Sequence, residues 1–209
     1  MRIDLHVHTR ISSPCSMIDP GDLIPWAKRA GLDGLCITEH EESLGAQVAW
    51  ELGQREGFPI FRGMEVYTDA GDVLVFGIYE DPLHWITPIG ELVKWVEAAG
   101  GLIIPAHPCR GSDDLHARYG EEPAELLMRS AVAVETLNGG SSPANNLLAE
   151  RLRERYGLFA VGGSDAHYPM QLGRCYTDFE KPIADDLDLI RELRAGSYRA
   201  MAGNGAGLG

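Results

Sequence analysis

The chain has 209 residues, 44% of them apolar and 23% charged, an ordinary globular profile with room for one buried core, which excludes disordered and fibrous architectures. A formal net charge of -13 argues against a long nucleic acid as partner, because gripping a polyphosphate needs a surplus of Lys and Arg. No apolar stretch approaches the roughly 20 residues of a membrane helix, the start MRIDLHVHT lacks the basic and apolar runs of a signal peptide, and Cys15, Cys36, Cys109 and Cys175 are too scattered for a zinc ribbon or a disulfide framework, so a cytoplasmic protein with free thiols and no membrane partner is expected.

Along the chain, short apolar runs alternate with amphipathic stretches, the pattern of βα units. The predicted strands are Ile3 to Val7, Gly34 to Thr38, Ile60 to Val66, Val73 to Ile78, Leu102 to Pro105, Ala133 to Leu137 and Phe159 to Gly162, each short and rich in β-forming residues. Helical patterns lie between and after them: Pro20 to Ala30, Leu44 to Glu56, Pro88 to Ala99, Pro123 to Arg129, Pro143 to Tyr156 and Asp185 to Ala195. Asp19, Thr87 and Ser142 each precede a Pro and read as N-caps. Gly31, Gly57, Gly100 and Gly157 follow helices where a left-handed residue is needed. Alternation without a long linker predicts one domain over residues 1–201 with a mainly parallel sheet, closed into a barrel or open and doubly wound. The Gly-rich stretch 202–209 reads as a flexible tail.

The histidines mark the ends of these strands. His6 and His8 close the first, His40 follows the second, His107 a later one and His167 the last; in parallel α/β folds such positions converge at the C-terminal ends of the strands. H-x-H puts His6 and His8 on one face, since strand side chains repeat every two residues, and Asp4 at the same spacing reads as acceptor of a ring N–H. The alternative is a chance pair. Asp165 and His167 in G-S-D-A-H repeat the spacing, a carboxylate with an imidazole that suits Zn, Mn or Fe, the alternative being that Asp165 caps a helix. Glu65 interrupts an apolar run and reads as a carboxylate bridging two ions, or as a surface residue at a strand end. Arg10 after His8 and Arg110 near His107 are placed to clamp phosphate oxygens, or are solvated loop charges. Glu135 and Asn138 end another strand, either to orient water or substrate or as structural hydrogen-bonders.

In their order D-L-H-V-H-T (4–9), T-E-H (38–40), G-M-E-V (63–66), A-H-P (106–108) and G-S-D-A-H (163–167), these elements resemble the PHP (polymerase and histidinol phosphatase) family. The resemblance covers almost the whole chain and implies a distorted (β/α)7 TIM-like barrel with a di- or trinuclear metal site. It implies that His6, His8, Glu65 and Asp165 hold one ion, that Glu65 bridges to a second ion bound by His107, and that a third lies between His40 and His167. Two positions depart from the pattern. Cys15 stands where relatives carry an Asp or His ligand and is expected to replace it, and Asp72 stands before an apolar run where relatives often carry a ligating His. The activity implied is metal-dependent hydrolysis of a small phosphomonoester or short nucleotide, with Glu65, Asp165 and Arg110 at the reaction centre and two or three Zn, Mn or Fe ions as cofactors. The rivals are an amidohydrolase-like C–N hydrolase and a degraded metal-binding regulatory module.

Overall fold

The computed structural model describes residues 1–82, 84–111 and 114–203. Among these residues nine strands and seven α-helices follow one another as β1 (Arg2–Val7), α1 (Pro20–Ala30), β2 (Gly34–His40), α2 (Leu44–Glu56), β3 (Ile60–Thr68), β4 (Gly71–Phe76), α3 (Ile89–Ala98), β5 (Leu102–Pro105), α4 (Leu115–Tyr119), α5 (Glu121–Ser130), β6 (Ala133–Asn138), α6 (Pro143–Tyr156), β7 (Phe159–Gly163), β8 (Cys175–Phe179), α7 (Asp186–Ala195) and β9 (Tyr198–Ala202). Strands β1 to β7 are those predicted, and they form the staves of a distorted (β/α)7 barrel in a single domain. Its wall is a curled sheet of order β5-β4-β3-β2-β1-β8-β9 and a separate β6-β7 ribbon. The ribbon fills the gap between β5 and β1, tied by Val132 N to Ile103 O (3.3 Å) on one side and by Asp165 N to His6 O (2.8 Å) and His8 N to Ala166 O (3.1 Å) on the other.

Two features correct the sequence reading. The sheet is not mainly parallel: β4 runs antiparallel to both β3 and β5, because the turn Thr68–Gly71 is too tight for a crossover. Thr68 Oγ1 donates to Gly71 O at 2.7 Å and accepts from Ala70 N at 3.0 Å, closing that hairpin. Strands β8 and β9, absent from the prediction, extend the sheet past β1 with antiparallel pairing, which leaves β9 as an edge.

Apolar residues from every strand, among them Leu5, Phe61, Leu74, Ile104, Ala133 and Val161, meet α7 side chains Leu189, Ile190 and Leu193 in one cluster. Phe61 opens β3 while Phe76 closes the reversed β4, so α7 stoppers the end of the barrel opposite the histidines.

Caps act largely as read. Asp19 accepts from Gly21 N and Ser142 from Asn145 N, and Gly31, Gly57, Gly100 and Gly157 all have φ between 64° and 74°. Thr87 is not a cap: its hydroxyl donates to His84 O, and Asp69 Oδ1 receives the Ile89 N–H instead, at 2.8 Å. Ala202, expected in the flexible tail, is the last residue of β9, and residues 204–209 of that tail lie outside those described. Among the described residues no helix is long and apolar enough to cross a membrane.

Candidate metal centre

The strand ends carry their side chains to one point. His6 and His8 are fully buried, and their Nε2 atoms face each other at 3.0 Å. Glu65 Oε2, brought by β3, lies 3.3 Å from each of these nitrogens and 3.0 Å from His40 Nδ1. Its second oxygen, Oε1, is 3.0 Å from His107 Nε2. Asp165 Oδ1 completes the group at 3.5 Å from His6 Nε2 and 3.4 Å from His8 Nε2. His167 joins from the rim, its Nδ1 at 3.0 Å from Asp165 O. Asp72 is drawn in because β4 is reversed: the start of an antiparallel strand lies where its neighbours end, and Asp72 Oδ2 sits 3.8 Å from His107 Nδ1.

Holding these groups together strains the backbone. Among the described residues the non-glycine positions with positive φ are Glu41 (56°), His107 (30°) and Asp165 (53°), all in or beside the cluster, where such conformations cost about 1–3 kcal/mol each. The glycines of G-G-S-D are needed for proximity. A Cβ on Gly163 would lie 2.4 Å from His6 Cβ and 2.7 Å from Glu135 Oε1.

The electrostatics call for positive charge at the centre. Burial works against an ionised Glu65, yet the charge of His6, the hydrogen bond from His107 and the close approach of His40 and His6 hold its carboxyl well below the usual range. Asp165 is lowered in the same way: burial opposes its charge, and the charge of His6 together with the close approach of His8 outweighs it. His8 itself is pushed down to about 4, chiefly by burial, and is therefore a neutral imidazole with a lone pair to give.

Among the described residues five donor groups are compact enough to hold an ion, four of them in this centre, His6–His8–Glu65, His6–His107–Asp165, Glu65–Asp72–His107 and His8–His40–His167, and a fifth, His116–Glu121–Glu125, on α4 and α5. The buried Glu65 Oε2 has no hydrogen-bond partner, although three imidazole nitrogens lie within 3.3 Å of it. A buried carboxylate oxygen aimed with three imidazole nitrogens at one point, without a hydrogen bond of its own, fits a shared cation, and the mixture of imidazole nitrogen with carboxylate oxygen suits Zn, Mn or Fe.

Other expected residues stand elsewhere. Cys15 is exposed and belongs to none of the donor groups found among the described residues; the His8–His40–His167 set forms without it because the loop after β1 turns its serines, not Cys15, into the interior. Arg10 pairs with Asp19 at the surface, where its side chain is 63% exposed. Arg110 is in the site but not free: its Nη2 donates to Asp165 Oδ2 at 2.5 Å and to Asn138 Oδ1 at 2.7 Å. Asp4 is not the acceptor of a ring N–H. It clips backbone instead, taking the N–H groups of Ser164 (2.7 Å), Gly173 (2.9 Å) and His6 (3.3 Å).

The acceptor for His6 is Glu135, whose Oε1 takes Nδ1 at 2.9 Å while Oε2 accepts from His107 N at 2.8 Å and Asn138 Nδ2 at 2.9 Å. Glu39 and Glu41, both acids beside the cluster, escaped the sequence reading. Burial pushes Glu41 up to about 7. The signal for Glu135 and Glu39 was present in the sequence as an acid inside an otherwise apolar strand, the same signal that exposed Glu65.

A barrel with a buried nest of imidazoles and carboxylates at the strand ends defines a metal-dependent hydrolase of α/β type. The chain belongs to the PHP family: the PHP domain matches residues 4–161 and a PHP-associated segment matches residues 143–198. A relative from Caldicellulosiruptor bescii, named a probable phosphatase, is 27% identical over 203 residues, covering 84% of this chain and 83% of its own. The fold is shared with a two-domain protein of Bacteroides vulgatus containing a predicted PHP-like metal-dependent phosphoesterase, at a TM-score of 0.76 and 21% identity over 97% of this chain and 65% of the other. It is also shared with a lesion-specific endonuclease of Pyrococcus furiosus, at a TM-score of 0.63 and 16% identity over 97% of this chain and 58% of that one.

Proposed function

We propose that this protein hydrolyses a small phosphomonoester or a short nucleotide with the help of two or three divalent ions. The observation that carries this reading is the orphaned Glu65 Oε2 among three imidazole nitrogens. In the reading, His6, His8, Glu65 and Asp165 hold one ion, Glu65 reaches a second with His107 and Asp72, and His40 with His167 holds a third beside His8. Bound there, such ions lower the pKa of water toward neutrality and offset charge building on phosphate oxygens.

The chain supplies the rest. Glu135 fixes the His6 ring, so that its Nε2 is aimed rather than free to rotate. Arg110 braces Asp165, and its side chain, 39% exposed, presents the remaining guanidinium N–H groups to an incoming phosphate. Arg10 lies apart, held by Asp19, and is left out of the clamp. The charge of -13 favours a short substrate over a long polynucleotide, since an acidic surface repels an extended phosphate backbone.

The test is metal analysis of the purified protein together with phosphate release from a phosphomonoester and a phosphodiester, on wild type and His8→Ala. Two or more ions per chain with turnover that the variant loses, at unchanged circular dichroism, is expected. Turnover retained in His8→Ala, or a wild type that binds no metal, would overturn the reading.

A further inference from the structure

The loop after β1 buries a second hydrogen-bond system that the chemistry above does not use. Ser13 Oγ has three polar neighbours: Glu39 Oε2 at 2.5 Å, His8 Nδ1 at 3.2 Å and the His40 N–H at 3.2 Å. Glu39 also takes the Thr9 N–H, at 3.1 Å on Oε1 and 3.0 Å on Oε2, and the Thr9 hydroxyl on Oε1. Helix α2 is shaped to admit this carboxylate, because a Cβ on Gly45 would lie 2.2 Å from Glu39 Oε1.

Counting hydrogens decides the direction of each bond. Both Glu39 oxygens already accept from Thr9, the pattern of an ionised carboxylate, which only accepts; two oxygens 2.5 Å apart require a proton between them, so with Glu39 ionised the single Ser13 hydrogen is committed to it. The hydroxyl oxygen is then left to accept, from the His40 N–H and from His8 Nδ1. A neutral imidazole carries one N–H, which Ser13 thereby places on Nδ1.

We infer that Ser13 and Glu39 form a positioning relay that fixes His8 as the Nδ1–H tautomer, so that its Nε2 lone pair faces His6 and Glu65. The inference rests on the proposal that His8 is a metal ligand. Outer partners of this kind set ligand orientation and typically change metal affinity about 10- to 100-fold when removed.

The relay is tested by a long-range 1H–15N correlation spectrum of the metal-free wild type, which reports the His8 tautomer directly, and by titration with Zn2+ alone of wild type, Ser13→Ala, Glu39→Gln and the double variant. Expected are an Nδ1–H tautomer for His8 in the wild type, a loss of Zn2+ affinity of about 10- to 100-fold in Ser13→Ala, and a double variant no weaker than the weaker single one, because both act through one chain. An Nε2–H tautomer in the wild type, or a folded Ser13→Ala with wild-type affinity, overturns the relay, as does additive loss in the double variant. A wild type that takes up no Zn2+ overturns the ligand reading instead, and the metal-free spectrum still decides the relay.

Discussion

Glu135 shows how one side chain organises the centre without facing it. Its two oxygens serve His6 Nδ1, His107 N and Asn138 Nδ2, all donors, so Glu135→Gln must turn an NH2 group toward one of them. Facing His107 N and Asn138, the amide collides with two donors; facing His6, it requires an acceptor there and moves the ring proton to the metal-facing nitrogen. Either way metal affinity is expected to fall by about 10- to 100-fold at little cost in secondary structure, measured by competition titration with a chelator and by circular dichroism. Wild-type affinity in the variant would remove Glu135 from the centre. The same residue marks a limit of the sequence. Its acid within A-V-E-T-L-N was visible, whereas its partner was not, because the pairing of β6 with β1 residues arises only when the barrel closes. Asp4 was assigned the role on spacing alone, and spacing does not say which of two neighbouring strands an acid faces.

For whole elements, α2 and α3 allow a contest between propensity and space. Alanine is better than glycine in a helix by about 0.8–1.0 kcal/mol. At Gly90, near the start of α3, the nearest atom to a new Cβ is Leu126 Cδ2 at 3.7 Å, ordinary contact, so Gly90→Ala is expected to raise Tm slightly. At Gly45 the same change drives a methyl to 2.2 Å from Glu39 Oε1, and the steric term wins: Gly45→Ala is expected to lower Tm. Equal shifts of the same sign in thermal melts would sink this account of α2. The elements themselves were largely legible: periodicity, caps and C-terminal glycines located β1 to β7, and most helix bounds moved by no more than two residues. Direction was not legible, because a run such as Val73 to Ile78 reads alike for parallel and antiparallel pairing. Strands β8 and β9 were missed for a different reason. C-Y-T-D-F and Y-R-A-M-A carry polar residues on a partly exposed face, and neither ends at a ligand.

Viewed whole, the molecule places a polar centre at one end of an apolar barrel, and buried groups near the staves respond to pH as a consequence. Cys175 on β8 has its thiol pushed up from 9.0 to about 12, chiefly by burial and then by the charges of Asp4 and Glu135. Tyr79 is raised from 10.0 to about 12 by burial and by Asp186, but its 41% exposure weakens its contribution. A raised folded-state pKa means that the folded chain keeps a proton that the unfolded chain has lost, so stability is fully present below pH 9 and drains away as pH rises toward 12. One fully linked proton gives a slope of at most about 1.4 kcal/mol per pH unit. General repulsion from the acidic surface grows over the same range, and it grows equally in a variant that lacks the thiol. Urea unfolding of wild type and Cys175→Ala at pH 8, 9, 10 and 11 therefore separates the two causes. Alanine leaves a small void and should lower stability at pH 8, yet its curve is expected to fall less steeply above pH 9, so that the two converge; parallel curves would mean that the thiol titrates in the fold as it does in the open chain.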